Sequence, residues 1–497
     1  MAVDRRVREP VRACALLAVL AFVLSAQVAV SMAPFFKTDE RANAAYAIAV
    51  AHGQLPTIQT PIADDPVLYP ALAEVLANEY RGPSHLRIWT ANHPPLYYVL
   101  SAPLVMLGDA IGHPGLSLFG MRLLNGLGFA LAVFLVGMLA RELVPRRPGI
   151  AVLSSAFALS CGAVTYVGGA IYNDGVATAL AFLALLLGVR TIRHGVTRPR
   201  LVATAVAGAA AAATRASGIP VVAVVCLAVL AASVLADRTP RGWRAGTLRA
   251  AAVGSVAVIA IGWFYVRNLA LYGSVTASSA LYQQFDRTPN GSWLLTCVTP
   301  SFYWRLLTSL WTDGDVANQW RILAGILLAA GLAGLAEASA SRRPRGPERI
   351  RFTPTTAAWG VAGLYVAANV VSVAQFIAGG GWIHARYALP LLPLLGIAVA
   401  SGLLYAGRRL SARDDSRLVT PLTLLLVGLG LLCHLDTLRH VTAPVTDGLH
   451  LAMLLSAWVV LGATAVLVVR GLVLGRLPEA VGAPEPALTD SGYRPLR

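Results

Sequence analysis

The sequence predicts an all-α protein that crosses a membrane about twelve times, within a range of eleven to thirteen crossings. Of its 497 residues, 57% are hydrophobic and only 13% are charged, and the mean hydropathy is +0.65. Soluble proteins carry about 25% charged residues. Apolar stretches of about 20 residues, the length of a membrane-spanning helix, recur along the whole chain. The chain is therefore predicted to be a polytopic membrane protein.

Twelve apolar stretches are long enough to span a bilayer. They lie near 12–33, 118–140, 150–168, 175–192, 201–213, 218–236, 248–266, 321–338, 356–377, 387–406, 418–435 and 450–471. The first follows a basic N-terminus and ends near a small-x-small sequence at 31–33, as a signal peptide would. It is longer than the apolar region of a signal peptide, which has about 7–15 residues. We therefore expect it to be retained as the first transmembrane helix.

A further apolar run at 94–107 is short and contains Pro103, features typical of re-entrant or interfacial segments. If this run does not cross, the segments on the side of the N-terminus hold 28 of the 40 Lys and Arg residues. If it crosses, the later basic segments move to the outside. The positive-inside rule favours the first arrangement, with both termini cytoplasmic and 94–107 dipping into the outer leaflet. The net charge of +16 is then a topology signal, and no nucleic-acid partner is expected.

Two long outer loops, 34–117 and 269–320, are predicted to be ordered. In the first, Thr38 is expected to cap a helix, and Pro66 to begin a second, amphipathic helix that ends before Gly82 and lies on the membrane surface. The second loop is expected to rest at the membrane interface because it is rich in aromatic residues: Trp293, Phe302, Tyr303, Trp304 and Trp311. The tail 477–497 is predicted to be a disordered cytoplasmic end. The five scattered cysteines predict neither a disulfide framework nor a metal knuckle.

Polar residues that could support chemistry cluster at the predicted outer membrane boundary. Span interiors contain almost no ionisable groups, whereas transporters and proton pumps usually hold charges near the midplane. The boundary cluster comprises Asp39, Glu40, Asn92, His93, Asn173, Asp174, Arg215, Arg267, Asn268, Tyr272, His384, Arg386 and Tyr387. We therefore expect a functional site at the outer boundary.

The order of these motifs resembles the GT-C superfamily of integral-membrane glycosyltransferases, which includes aminoarabinose transferases and protein O-mannosyltransferases. The motifs are Asp39-Glu40, His93-Pro94-Pro95-Leu96-Tyr97-Tyr98, Met121-Arg122-Leu123-Leu124, Asn173-Asp174, Thr214-Arg215, Arg267-Asn268, Tyr272-Gly273 and Arg386-Tyr387. The resemblance implies a GT-C fold, with a catalytic module over 1–395 that includes both outer loops. Transmembrane helices at 396–476 would follow this module.

The resemblance also implies roles for individual residues. Asp39 and Glu40 would form a catalytic acidic pair in which Asp39 is the base, and Asp174 would assist at the acceptor. The implied donor and phosphate-binding set is His93, Arg215, Arg267, Asn268, Tyr272, Arg386 and Tyr387, and the implied acceptor-binding set is Asn173 and His384. His93 stands where aminoarabinose transferases carry a phosphate-binding lysine.

Elementary chemistry favours the same roles, although each residue also has a simpler interpretation. An aspartate with a pKa near about 3.9 is ionised at neutral pH and can accept a hydroxyl proton. Arginine binds phosphate through two parallel hydrogen bonds and stays protonated. The acidic pair could instead stabilise a helix N-terminus, and arginines at span ends could snorkel to the interface. Tyr272 and Tyr387 could be interfacial aromatic residues, and Arg122 is expected to be structural, anchoring its span against headgroups.

The resulting hypothesis is a plasma-membrane enzyme whose active site faces the outside. It would move a sugar from a polyprenyl-phosphate carrier to an envelope glycan, lipid or protein, with inversion at the anomeric carbon, and membrane lipids would surround it. A divalent cation, Mg²⁺ or Mn²⁺, is compatible with the outer acidic groups, but no ligand spacing requires one. The alternatives are a carrier or flippase for a lipid-linked intermediate and a noncatalytic lipid-binding subunit.

Overall fold

The computed structural model describes residues 2–63, 69–79, 82–311, 318–340, 352–411, 414–445 and 448–474. Within these ranges the regular structure consists of 19 α-helices and five short 3₁₀ helices. The extended pairing in the same ranges is limited to two isolated β-bridges. The all-α prediction is confirmed.

Ten helices of the described chain are long and apolar enough to cross a membrane. They are α1 (Ala2–Ser31), α5 (Pro114–Leu143), α8 (Asp174–His194), α10 (Gly218–Ala236), α11 (Pro240–Tyr272), α15 (Asn318–Ala340), α16 (Pro354–Ala378), α17 (Leu392–Ser411), α18 (Asp415–Val441) and α19 (Gly448–Leu474). The bent pair α6 (Pro148–Ser160) and α7 (Gly162–Gly168), which meet at 58°, makes eleven if the two helices count as one span. The predicted span at 201–213 corresponds to α9 (Arg198–Thr214), whose 17 residues are too few for it to count among the ten. The chain is a multi-pass membrane protein.

Contacts at one end of the bundle constrain how often the chain crosses. Arg386, just before α17, lies close to both Asp39, just after α1, and Asp174, which begins α8. An even number of crossings must therefore separate Asp39 from Asp174. The α5 helix and the α6–α7 pair supply two, so α4 (Leu96–Ala110) does not cross, as the charge distribution predicts for 94–107. Arg215, just after α9, pairs with Asp174, which requires α8 and α9 both to cross.

Ion pairs also join helix ends at the opposite end of the bundle. Arg147 Nη2 lies 2.8 Å from Asp415 Oδ2, and Arg408 Nη1 lies 3.2 Å from Asp415 Oδ1. Arg408 also pairs with Glu337, so α15, α17 and α18 are tied to the start of α6. The positive-inside rule assigns this end to the cytoplasm, and that orientation stays a prediction.

The first outer loop contains α2 (Thr38–Ala51), α3 (Pro70–Ala77) and α4. Thr38 is the first helical residue of α2 and Lys37 precedes it without a side-chain capping bond, so the predicted Thr38 cap is wrong by one position. The predicted start at Pro66 lies outside the described residues. Leu72 of α3 is buried in an apolar cluster of the loop. These apolar contacts are with protein, which differs from the predicted helix lying on the membrane.

The second outer loop contains α12 (Ser278–Gln284), α13 (Trp293–Val298) and α14 (Pro300–Thr308). Three of the five aromatic residues on which the interfacial prediction rests are exposed, as expected at an interface: Trp293, Tyr303 and Trp304. Phe302 and Trp311 instead are buried in the main apolar core, where the Trp311 ring packs edge-on against Phe157. The interfacial prediction is therefore wrong for these two side chains, because α14 and the 3₁₀ helix Ser309–Trp311 that follows it pack them against the bundle.

The remaining predictions about organisation are only partly addressed by the described residues. All five cysteines are free, as the sequence predicts. The division at 395 stays a prediction, and it would fall inside α17. The tail 477–497 lies outside the described residues.

Candidate active site

Close packing of α5 against α8 fixes the position of Asp174. A Cβ atom added at Gly175 would lie 2.2 Å from the backbone oxygen of Asn125, so only glycine allows this approach. The Gly175 amide donates a 2.7 Å hydrogen bond to Asn125 Oδ1. The Asn125 amide group in turn donates to the carbonyls of Val167 and Ala170 at 2.6 and 2.9 Å. The start of α8 is therefore attached to both α5 and the end of α7.

A tight turn between α9 and α10 places Arg215. A Cβ atom at Gly218 would lie 2.3 Å from backbone atoms of Ala211. The Gly218 amide donates to the Arg215 carbonyl at 2.9 Å, which closes the turn. The compact turn directs the Arg215 side chain to the start of α8.

Two carboxylates and two guanidinium groups form the centre of the site. Arg386 Nη1 lies 2.7 Å from Asp39 Oδ2 and 3.9 Å from Asp174 Oδ2. Arg215 pairs with Asp174 Oδ1 and donates a 3.1 Å hydrogen bond to Asn173 Oδ1. The Asp39 side chain is 25% exposed and that of Asp174 is 8% exposed. The four charges therefore balance in a largely buried cluster, with Asp39 the more accessible carboxylate.

Two aromatic rings hold the Arg386 guanidinium. Its Cζ atom lies 5.1 Å from the ring centre of Tyr172 and 5.3 Å from that of Tyr387, within the range of cation–π attraction. The Trp89 side chain also helps to lower the pKa of Asp39, after the larger effect of Arg386. Sequence reasoning missed Tyr172 and Trp89. Tyr172 directly precedes the Asn173-Asp174 motif, and Trp89 lies shortly before His93, which is the signal that could have found them.

The charge state of Asp39 follows from the balance between its burial and its neighbours. Burial acts to raise the pKa of Asp39, but the charge and hydrogen bond of Arg386, aided by His384, outweigh it and hold this pKa below its ordinary value. Asp39 is therefore ionised at neutral pH. The exposed His384 ring also lies 5.7 Å from the ring of Tyr387, at the edge of the site.

His93 lies within electrostatic reach of this cluster and is neutral. Burial, together with the positive charges of Arg215 and Arg386, holds the pKa of His93 well below its ordinary value. Its Nδ1 atom is buried without a hydrogen-bond partner among the described residues. The Tyr46 hydroxyl donates to the His93 carbonyl at 3.1 Å and fixes the backbone there. In this state His93 can offer a hydrogen bond to a ligand but not a positive charge.

Three predicted donor-binding residues instead hold the first outer loop against the end of α11. Arg267 Nη2 donates to the Pro56 carbonyl at 2.9 Å. Asn268 Nδ2 donates to the Asn92 carbonyl at 3.1 Å. The Tyr272 hydroxyl accepts a 3.1 Å hydrogen bond from the Ile58 amide. These contacts hold the loop, and Asn268 positions the segment next to His93. Arg267 Nη1 and Asn268 Oδ1 are buried without a hydrogen-bond partner among the described residues, so their predicted role in donor binding stays a prediction.

Glu40 is buried in a structural ion pair. Its side chain is fully buried, and both carboxylate oxygens accept 2.9 Å hydrogen bonds from the Arg122 guanidinium. Its Oε1 atom also accepts from the Ile171 amide at 2.8 Å. The geometry thus gives Glu40 a structural role in place of the predicted catalytic one. Arg122 is structural as predicted, but its partners are protein groups and not lipid headgroups.

The described residues contain no group of three or more His, Cys, Asp or Glu side chains that could hold a metal ion. Asp39 and Asp174, the two carboxylates of the site, are each paired with a guanidinium group. The expectation of Mg²⁺ or Mn²⁺ therefore stays a prediction, without a ligand set among the described residues.

Comparisons with known proteins give likenesses only among solved structures. No family model matches the chain, and no curated protein matches it. ArnT from Cupriavidus metallidurans is 17% identical over 92% of this chain and 76% of that chain. The TM-score is 0.44 for the structure bound to undecaprenyl phosphate and 0.47 for the apo state.

A second likeness is to the archaeal oligosaccharyltransferase AglB from Archaeoglobus fulgidus, in complex with an inhibitory peptide and a dolichol-phosphate. It is 14% identical, with a TM-score of 0.46, over 85% of this chain and 55% of that chain. This chain thus spans about half the length of AglB.

Proposed function

We propose that this protein is a GT-C-type glycosyltransferase that moves a sugar from a polyprenyl-phosphate carrier to an extracytoplasmic acceptor. The observation that carries the proposal is the position of Arg386 between Asp39 and Asp174, with Arg215 beside Asp174. Transfer from a lipid phosphate requires a proton acceptor and cations for the departing phosphate at one place. This cluster supplies both at the end of the bundle that is predicted to face outward.

Asp39 is the proposed general base. Its carboxylate takes the proton of the acceptor hydroxyl as that oxygen forms a bond to the anomeric carbon of the sugar. The bond between the anomeric carbon and the phosphate oxygen breaks, and its electron pair leaves with the polyprenyl phosphate. A direct displacement of this kind inverts the anomeric configuration.

The remaining residues of the site are assigned to binding. Arg386 and Arg215 would stabilise the charge that gathers on the leaving phosphate, since guanidinium groups make strong charge-assisted bonds to phosphate oxygens. His93 would offer a neutral hydrogen bond. Asp174 would orient the acceptor, with Asn173 and His384 beside it.

The α4 helix provides an apolar surface near the site that could carry the prenyl chain. It begins three residues after His93 and does not cross the membrane. Four of its apolar side chains are about half exposed: Val99, Leu100, Met106 and Leu107. A lipid tail along this side would keep its phosphate at membrane depth, so the donor would reach the site without leaving the bilayer.

A product assay tests the proposal. The purified full-length protein in nanodiscs would be incubated with a panel of polyprenyl-phosphate sugars and with extracts of envelope glycan, lipid and protein acceptors. We expect acceptor-dependent release of free polyprenyl phosphate from at least one donor, together with a glycosylated acceptor. In proteoliposomes, translocation of the intact donor without release would instead identify a carrier. Binding of donors without either event would indicate a noncatalytic subunit.

A further inference from the structure

A single nitrogen atom of Arg386 lies near the carboxylates of both Asp39 and Asp174. Nη1 lies 2.7 Å from Asp39 Oδ2 and 3.9 Å from Asp174 Oδ2. Asp174 also pairs with Arg215, whereas Arg386 is the ion-pair partner found for Asp39 among the described residues. If Arg386 turned to another anion, Asp174 would keep a cation and Asp39 would lose one.

The Arg386 side chain is placed so that its anionic partner can change. The rings of Tyr172 and Tyr387 hold the guanidinium through contacts that do not depend on Asp39. The Nε atom of Arg386 is buried and has no hydrogen-bond acceptor among the described residues. A buried guanidinium N–H without an acceptor is costly, which points to an anionic ligand that is present in the working state.

We infer that Asp39 and the donor phosphate compete for Arg386, so that arrival of the phosphate releases Asp39 to act as a base. The inference rests on the proposed function. A phosphate can accept two parallel hydrogen bonds from the guanidinium, including one from the unused Nε, and it therefore replaces Asp39 effectively. Asp39 remains engaged by Arg386 until the donor is bound. The acceptor would then be activated only after the donor has entered.

A double-mutant cycle on phosphate binding tests this competition without any need for turnover. The dissociation constant for farnesyl phosphate would be measured with the full-length wild-type protein, Asp39→Asn, Arg386→Gln and the double variant. Asp39→Asn should bind farnesyl phosphate about tenfold more tightly, a change of about 1.4 kcal/mol, because Arg386 is no longer shared. In the Arg386→Gln background the same Asp39→Asn change should have little effect.

Equal tightening in both backgrounds would overturn the inference, because it would show simple repulsion between Asp39 and the phosphate. Weaker or unchanged binding by Asp39→Asn would overturn it as well. If Arg386→Gln does not fold, Arg386→Lys takes its place, because lysine keeps the charge but cannot make two parallel hydrogen bonds to a phosphate. In that background Asp39→Asn should tighten the binding of farnesyl phosphate less than it does in the wild type. Asp237→Asn removes an exposed carboxylate at the opposite end of the bundle, where it accepts a hydrogen bond from the Thr239 amide, and should leave the affinity unchanged.

Two further measurements complete the test. One compares inorganic phosphate with farnesyl phosphate as the ligand, and the other compares the binding cycle with the assay of sugar transfer. Inorganic phosphate should bind far more weakly than farnesyl phosphate, and equal binding would overturn the assignment to a lipid phosphate. If the protein transfers sugar but Asp39→Asn has the same effect on affinity in both backgrounds, the competition is disproved and the proposed function stands. If Asp39→Asn tightens binding only when Arg386 is present, but no donor gives sugar transfer, the competition is supported and the enzymatic proposal fails.

Discussion

An Asp39→Asn protein is expected to lose sugar transfer by about 10²–10⁴-fold while it retains its fold. The range is that of a removed general base. Asparagine has the size of aspartate but cannot accept the acceptor's proton, and Asp39 is ionised at neutral pH because Arg386 lowers its pKa. Initial rates of polyprenyl phosphate release, at saturating donor and acceptor, would measure the loss.

The matched control for this substitution is Asp237→Asn, which removes the same charge from an exposed side chain at the opposite end of the bundle. It should transfer sugar at close to the wild-type rate. Thermal unfolding of both variants would show that any loss of rate does not arise from loss of structure. An Asp39→Asn protein with a rate within threefold of wild type would rule out Asp39 as the base.

An Arg122→Leu protein should be destabilised by about 3–5 kcal/mol, the cost of leaving a buried charge without its partner. Glu40 is fully buried and has Arg122 as its ion-pair partner. Arg122 also donates to the carbonyls of Ala29, Met32 and Ala33 at 2.7–2.8 Å, which ties the end of α1 to α5. Those carbonyls would lose a donor too. Thermal unfolding of the purified protein, and its yield in membranes, would measure the change.

The double variant Glu40→Leu/Arg122→Leu separates the pair's charge from its packing. Replacing a whole buried ion pair with apolar residues is often neutral or stabilising, so the double variant should be more stable than Arg122→Leu alone. Equal stability of Arg122→Leu and wild type would contradict the structural role given to this pair.

The topology could be predicted from the sequence because each span is a local apolar run and the arginine bias is additive along the chain. The short 94–107 run was assigned by the same charge count. The contact of Arg386 with both Asp39 and Asp174 supports that assignment through an independent route, the parity of crossings. The exact start of α2 could not be predicted, because the N-cap position falls on Lys37 and not on Thr38.

The different fates of Asp39 and Glu40 could not be predicted, because adjacent residues on a helix point about 100° apart. Which of them faces the arginine of α5 depends on how α2 docks. The loop contacts of Arg267, Asn268 and Tyr272 likewise could not be predicted, since the sequence does not show that the loop near 55–60 and the segment at Asn92 approach α11. The sequence places these groups at one boundary, and only tertiary packing assigns their partners.

The most direct test of the central claim is an experimental structure of the full-length protein with a bound polyprenyl phosphate. The account predicts that the phosphate contacts Arg386, including its Nε atom, and Arg215, and that Arg386 no longer lies within ion-pair distance of Asp39. The prenyl chain should run along α4. A phosphate bound elsewhere, with the ion pair between Arg386 and Asp39 intact, would contradict the account.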